Sequence, residues 1–154
     1  MVESTEIIAR LAKSSDFEQL EPLLKINCER MQMQLEACSI AVKKIIEEPD
    51  FGVFIVAEKE AKIVGYIYFT YEWSDWRNGV LYYLQSLQAD PNEDAGAIGQ
   101  ALKAYMDKHN ATAEYKCVGI RLCSAKAVHK ENEDVMKLFE LVPTHYYVYN
   151  VDTN

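Results

Sequence analysis

Three runs of β-branched and aromatic residues, Val53 to Ala57, Lys62 to Tyr71 and Val80 to Gln88, follow one another with only short polar links between them. Such runs form strands, and links this short leave no room for the crossover that parallel pairing requires. The middle of the chain is therefore expected to be an antiparallel meander, with Glu58 to Ala61 as its first turn and Ser74 to Gly79 as its second loop. The rest of the chain has to pack on that sheet.

Ahead of the meander, Ile7 to Ala12 reads as a short apolar strand. Ser15-Asp16-Phe17-Glu18 reads as a capping box opening a helix, with Phe17, Leu20, Leu23 and Leu24 on one face. Pro22 requires a kink there or a displaced start. A second helix is expected from Gln34 to Glu48, with Leu35, Cys38, Val42, Ile45 and Ile46 at helical spacing and a stop at Pro49. Beyond the sheet, Ile98, Leu102 and Tyr105 stripe a helix ending near His109-Asn110. A strand at Lys116 to Cys123, a helix around Glu131 to Leu141 and a last strand at His145 to Val151 complete the order β-α-α-β-β-β-α-β-α-β.

With 154 residues and 49% hydrophobic content, the chain is long enough for one core and is read as a single domain over residues 1–154. It has no run of about 18 apolar residues and no leader pattern, so a cytoplasmic location is expected, with no membrane span. The four cysteines show neither C-x-x-C nor zinc-ligand spacing. They sit among Leu, Ile and Val, where a thiol packs as a small apolar group, and no metal is expected. The 24 acidic against 16 basic residues give a net charge of −8. That disfavours nucleic acid and anionic membranes and suits a small cationic partner.

From Ala89 to Leu102 an apolar strand ends, small residues follow, and an amphipathic helix begins. Backbone amides at such a helix mouth approach an anion closely, and the helix dipole adds to the attraction. The bland alternative is that Gly96 and Gly99 simply begin a helix packed tightly on a sheet, with Asn92-Glu93-Asp94 as ordinary acidic residues near its N-terminus. Asp94 would face an anion with the wrong sign. Lys103, Lys108, Lys126 and Lys130 are the cations available to offset it.

The stretch Asp94-Ala95-Gly96-Ala97-Ile98-Gly99 resembles the pyrophosphate-binding turn of the GNAT superfamily of acyl-CoA N-acetyltransferases, Arg/Gln-x-x-Gly-x-Gly/Ala. Asp94 stands in place of the basic or amide residue, and Ala97 in place of the central Gly. Ile63-Val64-Gly65-Tyr66, Phe69 to Gly79 and Leu81 to Ser86 are similar to the diamine and thialysine acetyltransferase branch. Gly119-Ile120-Arg121-Leu122 and Pro143 to Tyr149 fit related bacterial members, and the element order above is the GNAT order.

The resemblance implies an α/β (α+β) fold with a mixed, mostly antiparallel sheet of six to seven strands, splayed in the middle, and helices on both faces. It implies acetyl-CoA as co-substrate, held by Leu87, Gln88 and Ala89 of the splayed strand, by Asp94, Ala95, Gly96, Ala97, Ile98 and Gly99 of the turn, and by Asn132. On another placement His129 takes the position of Asn132. Catalytic roles fall on Gln85, where the branch has a Glu that accepts the amine proton through water, and on Tyr146. The latter substitutes for a Tyr that protonates the leaving thiolate and that the last helix replaces by Phe139 or Met136.

Glu72 and Asp75 beside Trp73 and Trp76 form an acidic, aromatic mouth for a cationic amine. Their alternative reading is a hydrated loop with one Trp as a lid on the core. The expected function is acetyl transfer to a primary amine of a small cationic molecule, by a homodimer. Asp94, Ala97, Gln85 and Phe139 keep a second reading open, a fold relative that binds or dimerises without catalysing. A third is a protein N-acetyltransferase acting on a basic peptide.

Overall fold

The computed structural model describes residues 5–124, 130–144 and 149–152. Among these, β1 (Ile8–Leu11), β2 (Gly52–Lys59), β3 (Lys62–Ser74), β4 (Gly79–Ala89) and β5 (Cys117–Arg121) form one sheet in the order β1-β2-β3-β4-β5. Every neighbouring pair is antiparallel except β4 and β5, which run parallel. The helices are α1 (Phe17–Met31), α2 (Leu35–Glu47), α3 (Ala95–Thr112) and α4 (Glu133–Leu138). Five strands stand among the described residues where six or seven were expected in the chain. Residues 145–148, the start of the expected last strand, lie outside the described residues.

Strand alternation explains why the central strands are apolar throughout. Val53, Ile55 and Ala57 of β2 and Ile67 and Phe69 of β3 turn to one face, where Ile98, Leu102 and Met106 of α3 and Val135 of α4 cover them. Phe54, Val56, Tyr66 and Tyr68 turn to the other, under Leu20, Leu23 and Leu24 of α1 and Val42 of α2. Each fully buried Val, Leu, Ile, Phe or Met among them contributes about 1.5–3 kcal/mol. A Cβ at Gly65 would meet Ile98 Cγ2 at 2.5 Å and the Gln88 carbonyl oxygen at 3.1 Å. The missing side chain therefore seats the first turns of α3 directly on the ends of β3 and β4.

The entry to α1 differs from the expected capping box. A 3-10 turn, Ser14–Asp16, precedes the helix, and the Asp16 carboxylate accepts the Lys13 backbone N–H at 2.7 Å. Asp16 takes the part assigned to Glu18, with Lys13 in the N-cap position assigned to Ser15, because Arg10 on β1 draws its carboxylate inward, at 2.7 and 2.9 Å. Helix α1 runs on through Pro22 with no displaced start. Pro22 is exposed, so the carbonyl left without its i+4 amide partner faces water.

The β2–β3 turn is tighter than expected, with only Glu60 and Ala61 outside the strands, at φ 51° and 62°. Two-residue hairpins of this hand favour Asn-Gly, because an L side chain is strained at positive φ. Ala61→Gly is expected to stabilise the protein by about 0.5–1 kcal/mol, the relief of strain being partly offset by a freer unfolded chain. A shift of the urea midpoint at unchanged slope reads it out.

Candidate active site

Two interruptions of regular pairing on β4 create the site. Tyr68 pairs with Ser86 and Phe69 with Leu84, so Gln85 is the extra residue of a bulge, the kind of irregularity that re-aims a strand. On its other side β4 pairs with β5 only from Val80 to Tyr83. From Leu84 to Ala89 it has no β5 partner among the described residues.

The direction of the backbone groups along this open stretch follows from two contacts. The Asp90 N–H donates to the Val64 carbonyl at 2.8 Å, and the Gln88 carbonyl lies against Gly65. Alternation then turns the peptide groups of Leu87 and Ala89 toward the gap and those of Gln88 toward β3. The Gln88 side chain donates back to the Ala89 carbonyl at 2.8 Å. The expected splay is present, and of the three residues assigned to it Leu87 and Ala89 face it with their backbones.

Residues Ala95, Gly96, Ala97, Ile98 and Gly99 are the opening turns of α3 rather than a loop before it. The loop is Asp90 to Asp94. Asp94 is the N-cap, its carboxylate accepting the Ala97 N–H at 3.0 Å while its carbonyl accepts the Ile98 N–H at 3.0 Å. Ala95, Gly96 and Ala97 are exposed, and Ile98 and Gly99 are buried. Nearby cations are committed: Lys59 pairs with Glu93 at 2.8 Å, Lys62 with Asp90 at 3.1 Å and Lys103 with Asp107 at 2.8 Å. The Asn92 backbone N–H, with Lys62, holds the Asp90 carboxyl below its ordinary range.

These features test the site against an acyl-CoA. The gap beside Leu87 and Ala89 fits an amide-bearing arm, because the Leu87 peptide groups and the Ala89 N–H face it without a β5 partner among the described residues, the Ala89 carbonyl being held by Gln88. The first turn of α3 does not fit a pyrophosphate as it stands: the Ala97 amide is already taken, by a group carrying the charge of the expected ligand. The remaining donor-side candidate, Asn132, precedes α4 and donates to the Ser124 hydroxyl at 3.1 Å, fastening the helix start to the end of β5.

On the acceptor side, Thr70, Glu72 and Ser74 share one face of β3 by alternation, beyond the cover of α1 and α2. The Gln85 side chain donates to Thr70 Oγ1 at 2.8 Å. Tyr83 lies opposite Thr70 and beside Arg121. The Arg121 guanidinium reaches the Tyr83 hydroxyl at 3.2 Å and stands 4.0 Å from Glu72 Oε1.

Trp73 alternates to the opposite face from Glu72, so the expected acidic, aromatic mouth is split. The lid alternative fails too, since Trp73 is 57% and Trp76 86% exposed. The Asp75 carboxylate accepts the Trp76 backbone N–H at 2.9 Å and so fixes its own turn.

A cavity of about 970 Å³ opens beside this face, walled by Tyr83, Arg121, the turn residues Trp76 and Arg77, and Met136 and Leu141 at and beyond α4. Among the described residues, Trp76 alone of the expected site residues lines it. Tyr83, Arg121 and Arg77 carried no assigned role from the sequence. Their signal was there: β3 changes after Phe69 from apolar on both faces to polar at Thr70, Glu72 and Ser74, marking a face that no helix covers.

Tyr146 and Lys126 lie outside the described residues. Phe139 packs edge-on against Phe69, with centroids 6.1 Å apart, and closes the core. The described cysteines are free, and Cys123 is exposed rather than packed inside. Burial, with Cys28 alongside, pushes the Cys38 thiol up to about 11, and burial also raises Cys117. Neither is a thiolate nucleophile near neutral pH. Among the described residues no group of three His, Cys, Asp or Glu could hold a metal ion, and no helix is long and apolar enough to cross a membrane.

No protein-family model matches the sequence, and no curated protein does. Solved structures do. A possible acetyltransferase from Clostridium difficile 630 shares 24% identity over 96% of this chain and 98% of its own, with a TM-score of 0.81. Ribosomal-protein-alanine N-acetyltransferase from Brucella melitensis biovar Abortus 2308 shares 13% over 97% and 100%, at 0.73. An aminoglycoside acetyltransferase from an uncultured soil metagenomic sample shares 15% over 97% and 99%, at 0.71. The chain thus has the GNAT fold, shared with these acetyltransferases over nearly the whole of its length.

Proposed function

We propose that the protein is an N-acetyltransferase that moves acetyl from acetyl-CoA to a primary amine of a small, cationic, diamine-like or lysine-like substrate. The observation that carries the reading is the parting of β4 from β5 after Tyr83, beside the Gln85 bulge, in a fold that acetyltransferases share. The bound donor supplies an activated thioester. The backbone at Leu87 and Ala89 pairs with its amide arm and offers donors to the oxyanion that forms when the amine adds. The opening turn of α3 and Asn132 take the phosphate end once Asp94 yields.

Proton handling is the harder part. An alkylamine with a pKa near 10.4 costs about 4.6 kcal/mol to present neutral at pH 7. Gln85 is an amide and accepts no proton at that pH; held by Thr70, it orients the amine or a water. Glu72, with Asp75 and Trp76 further out, attracts the cation. Tyr146 is the acid for the leaving thiolate, a modest task because a thiol pKa near 8.5 makes that departure easy. We further propose a single domain and a homodimer, the latter tested by sedimentation.

Asp94 on the Ala97 amide favours one other reading, a protein that keeps the fold for binding without catalysis. Calorimetry with acetyl-CoA decides between them. Saturable micromolar binding, with thiol release in an amine screen, is expected of the enzyme, whereas no heat up to millimolar acetyl-CoA would sink that reading. Gly96→Glu sharpens the test. Gly96 is exposed, and the nearest atom to a Cβ there is Asp94 Oδ1 at 3.3 Å, on a side chain that must give by a few tenths of an ångström, so the variant is expected to fold with a small change in melting temperature. Its carboxylate at the helix mouth should weaken acetyl-CoA about tenfold or more.

A further inference from the structure

We propose that the cavity between the Trp76–Arg77 turn, β5 and α4 binds a carboxylate of the acceptor, making the substrate an amino acid or similar carboxylate-bearing amine rather than a plain diamine. This rests on the acetyltransferase reading and deepens it.

Two guanidinium groups, on separate elements, line the same 970 Å³ cavity. Arg121 is set by its neighbours: its guanidinium carbon lies 5.9 Å from the centre of the Tyr83 ring and its Nη1 3.2 Å from the Tyr83 hydroxyl. Its distance to Glu72, 4.0 Å, is at the outer limit of an ion pair. Arg77 is held more lightly, by one bond of 3.4 Å to the Val118 carbonyl. Among the described residues it has no carboxylate within ion-pair distance, in a chain with 24 acidic side chains against 16 basic.

Planar guanidinium pairs match a carboxylate's two oxygens, and an adjoining phenol supplies a further donor. Glu133 and Glu140 stand on the α4 side of the cavity, opposing a second anion there and leaving room for the ammonium of a zwitterion. Placement agrees with the chemistry. Tyr83 and Arg121 form the last register pair before β4 leaves β5, so the cavity meets the gap at its closed end. A carboxylate held here sends the amine of a short molecule toward Thr70 and Gln85.

The experiment is calorimetry on the intact chain with matched pairs of an amino acid and its decarboxylated amine: lysine and cadaverine, ornithine and putrescine, arginine and agmatine. At least one acid is expected to bind tenfold or more tightly than its amine. Arg77→Met, on an exposed turn where folding is not at stake, is expected to bring that acid to the level of its amine and leave the Kd of acetyl-CoA unchanged. Arg121→Met should do the same, with a melting curve to establish that it folds. Equal binding of acid and amine throughout, or no binding by any acid, overturns the proposal. So does an Arg77→Met that weakens acetyl-CoA instead, because the guanidinium would then serve the donor's phosphates. The acetyltransferase reading fails separately, if acids bind as expected and acetyl-CoA gives no heat.

Discussion

Arg10→Met is expected to lower the unfolding free energy by about 2–4 kcal/mol, with a matching fall in the urea midpoint at unchanged slope. The guanidinium on β1 reaches Asp16 with two nitrogens, at 2.7 and 2.9 Å, and Glu58 on β2 with two, at 2.9 and 3.2 Å. One side chain thereby joins two strands to the turn that starts α1. The Asp16 side chain is only 8% exposed. Removing Arg10 leaves that carboxylate desolvated with the Lys13 amide as its one remaining partner, and uncompensated buried charge is what makes such losses large. The exposed pair Lys44 and Glu48, at 3.8 Å, is worth a few tenths of a kcal/mol by comparison.

The same network has a signature in pH. The Arg10 guanidinium, against the opposing effect of burial, holds the Asp16 carboxyl below the ordinary carboxylate range. A group whose pKa is lower folded than unfolded binds more protons in the unfolded state at acid pH. Its stabilisation is therefore fully present above about pH 5 and is lost as pH falls through the folded-state pKa. Asp16→Asn is expected to reduce stability at pH 7 and to flatten the acid limb of the stability curve. A limb as steep in the variant as in the parent would place the titrating group elsewhere.

The meander was legible because its cause is local. Val53 to Ala57 and Lys62 to Tyr71 have strand composition, and the links leave no alternative to antiparallel pairing. The helical faces of α1 and α2 were legible for the same reason. Asp16 was not, because its partner Arg10 is brought to it only by β1 pairing with β2. The boundary at Asp94 escaped because small residues read equally as loop or helix; what decides is the contact of Ile98 with Gly65, which no spacing reveals. Glu72 and Trp73 are adjacent in sequence and were taken together, yet a strand sends neighbours to opposite faces. Tyr83 and Arg121 meet across a parallel pair joined through α3, and only the register unites them.

Asp94→Ala is expected to tighten acetyl-CoA binding about thirtyfold while costing about 1 kcal/mol of stability. The first effect has two parts. The carboxylate on the Ala97 amide must leave before a phosphate oxygen can use that donor, and its charge repels the phosphate at close range; each part is worth on the order of 1 kcal/mol, and together they make about thirtyfold. Asp94→Asn separates them. Asn caps a helix about as well as Asp, so this variant keeps the Ala97 bond and removes only the charge, and an intermediate gain near fivefold is expected, with stability little changed. Calorimetry at low and moderate salt resolves the charge part, which shrinks as ions screen it, from the occupancy part, which does not. Affinity unchanged in both variants would mean that phosphate never approaches this turn, and the α3 N-terminus would then be a structural cap alone. Affinity raised in Asp94→Ala and not in Asp94→Asn would make the occupied amide, rather than the charge, the obstacle to acetyl-CoA at this turn.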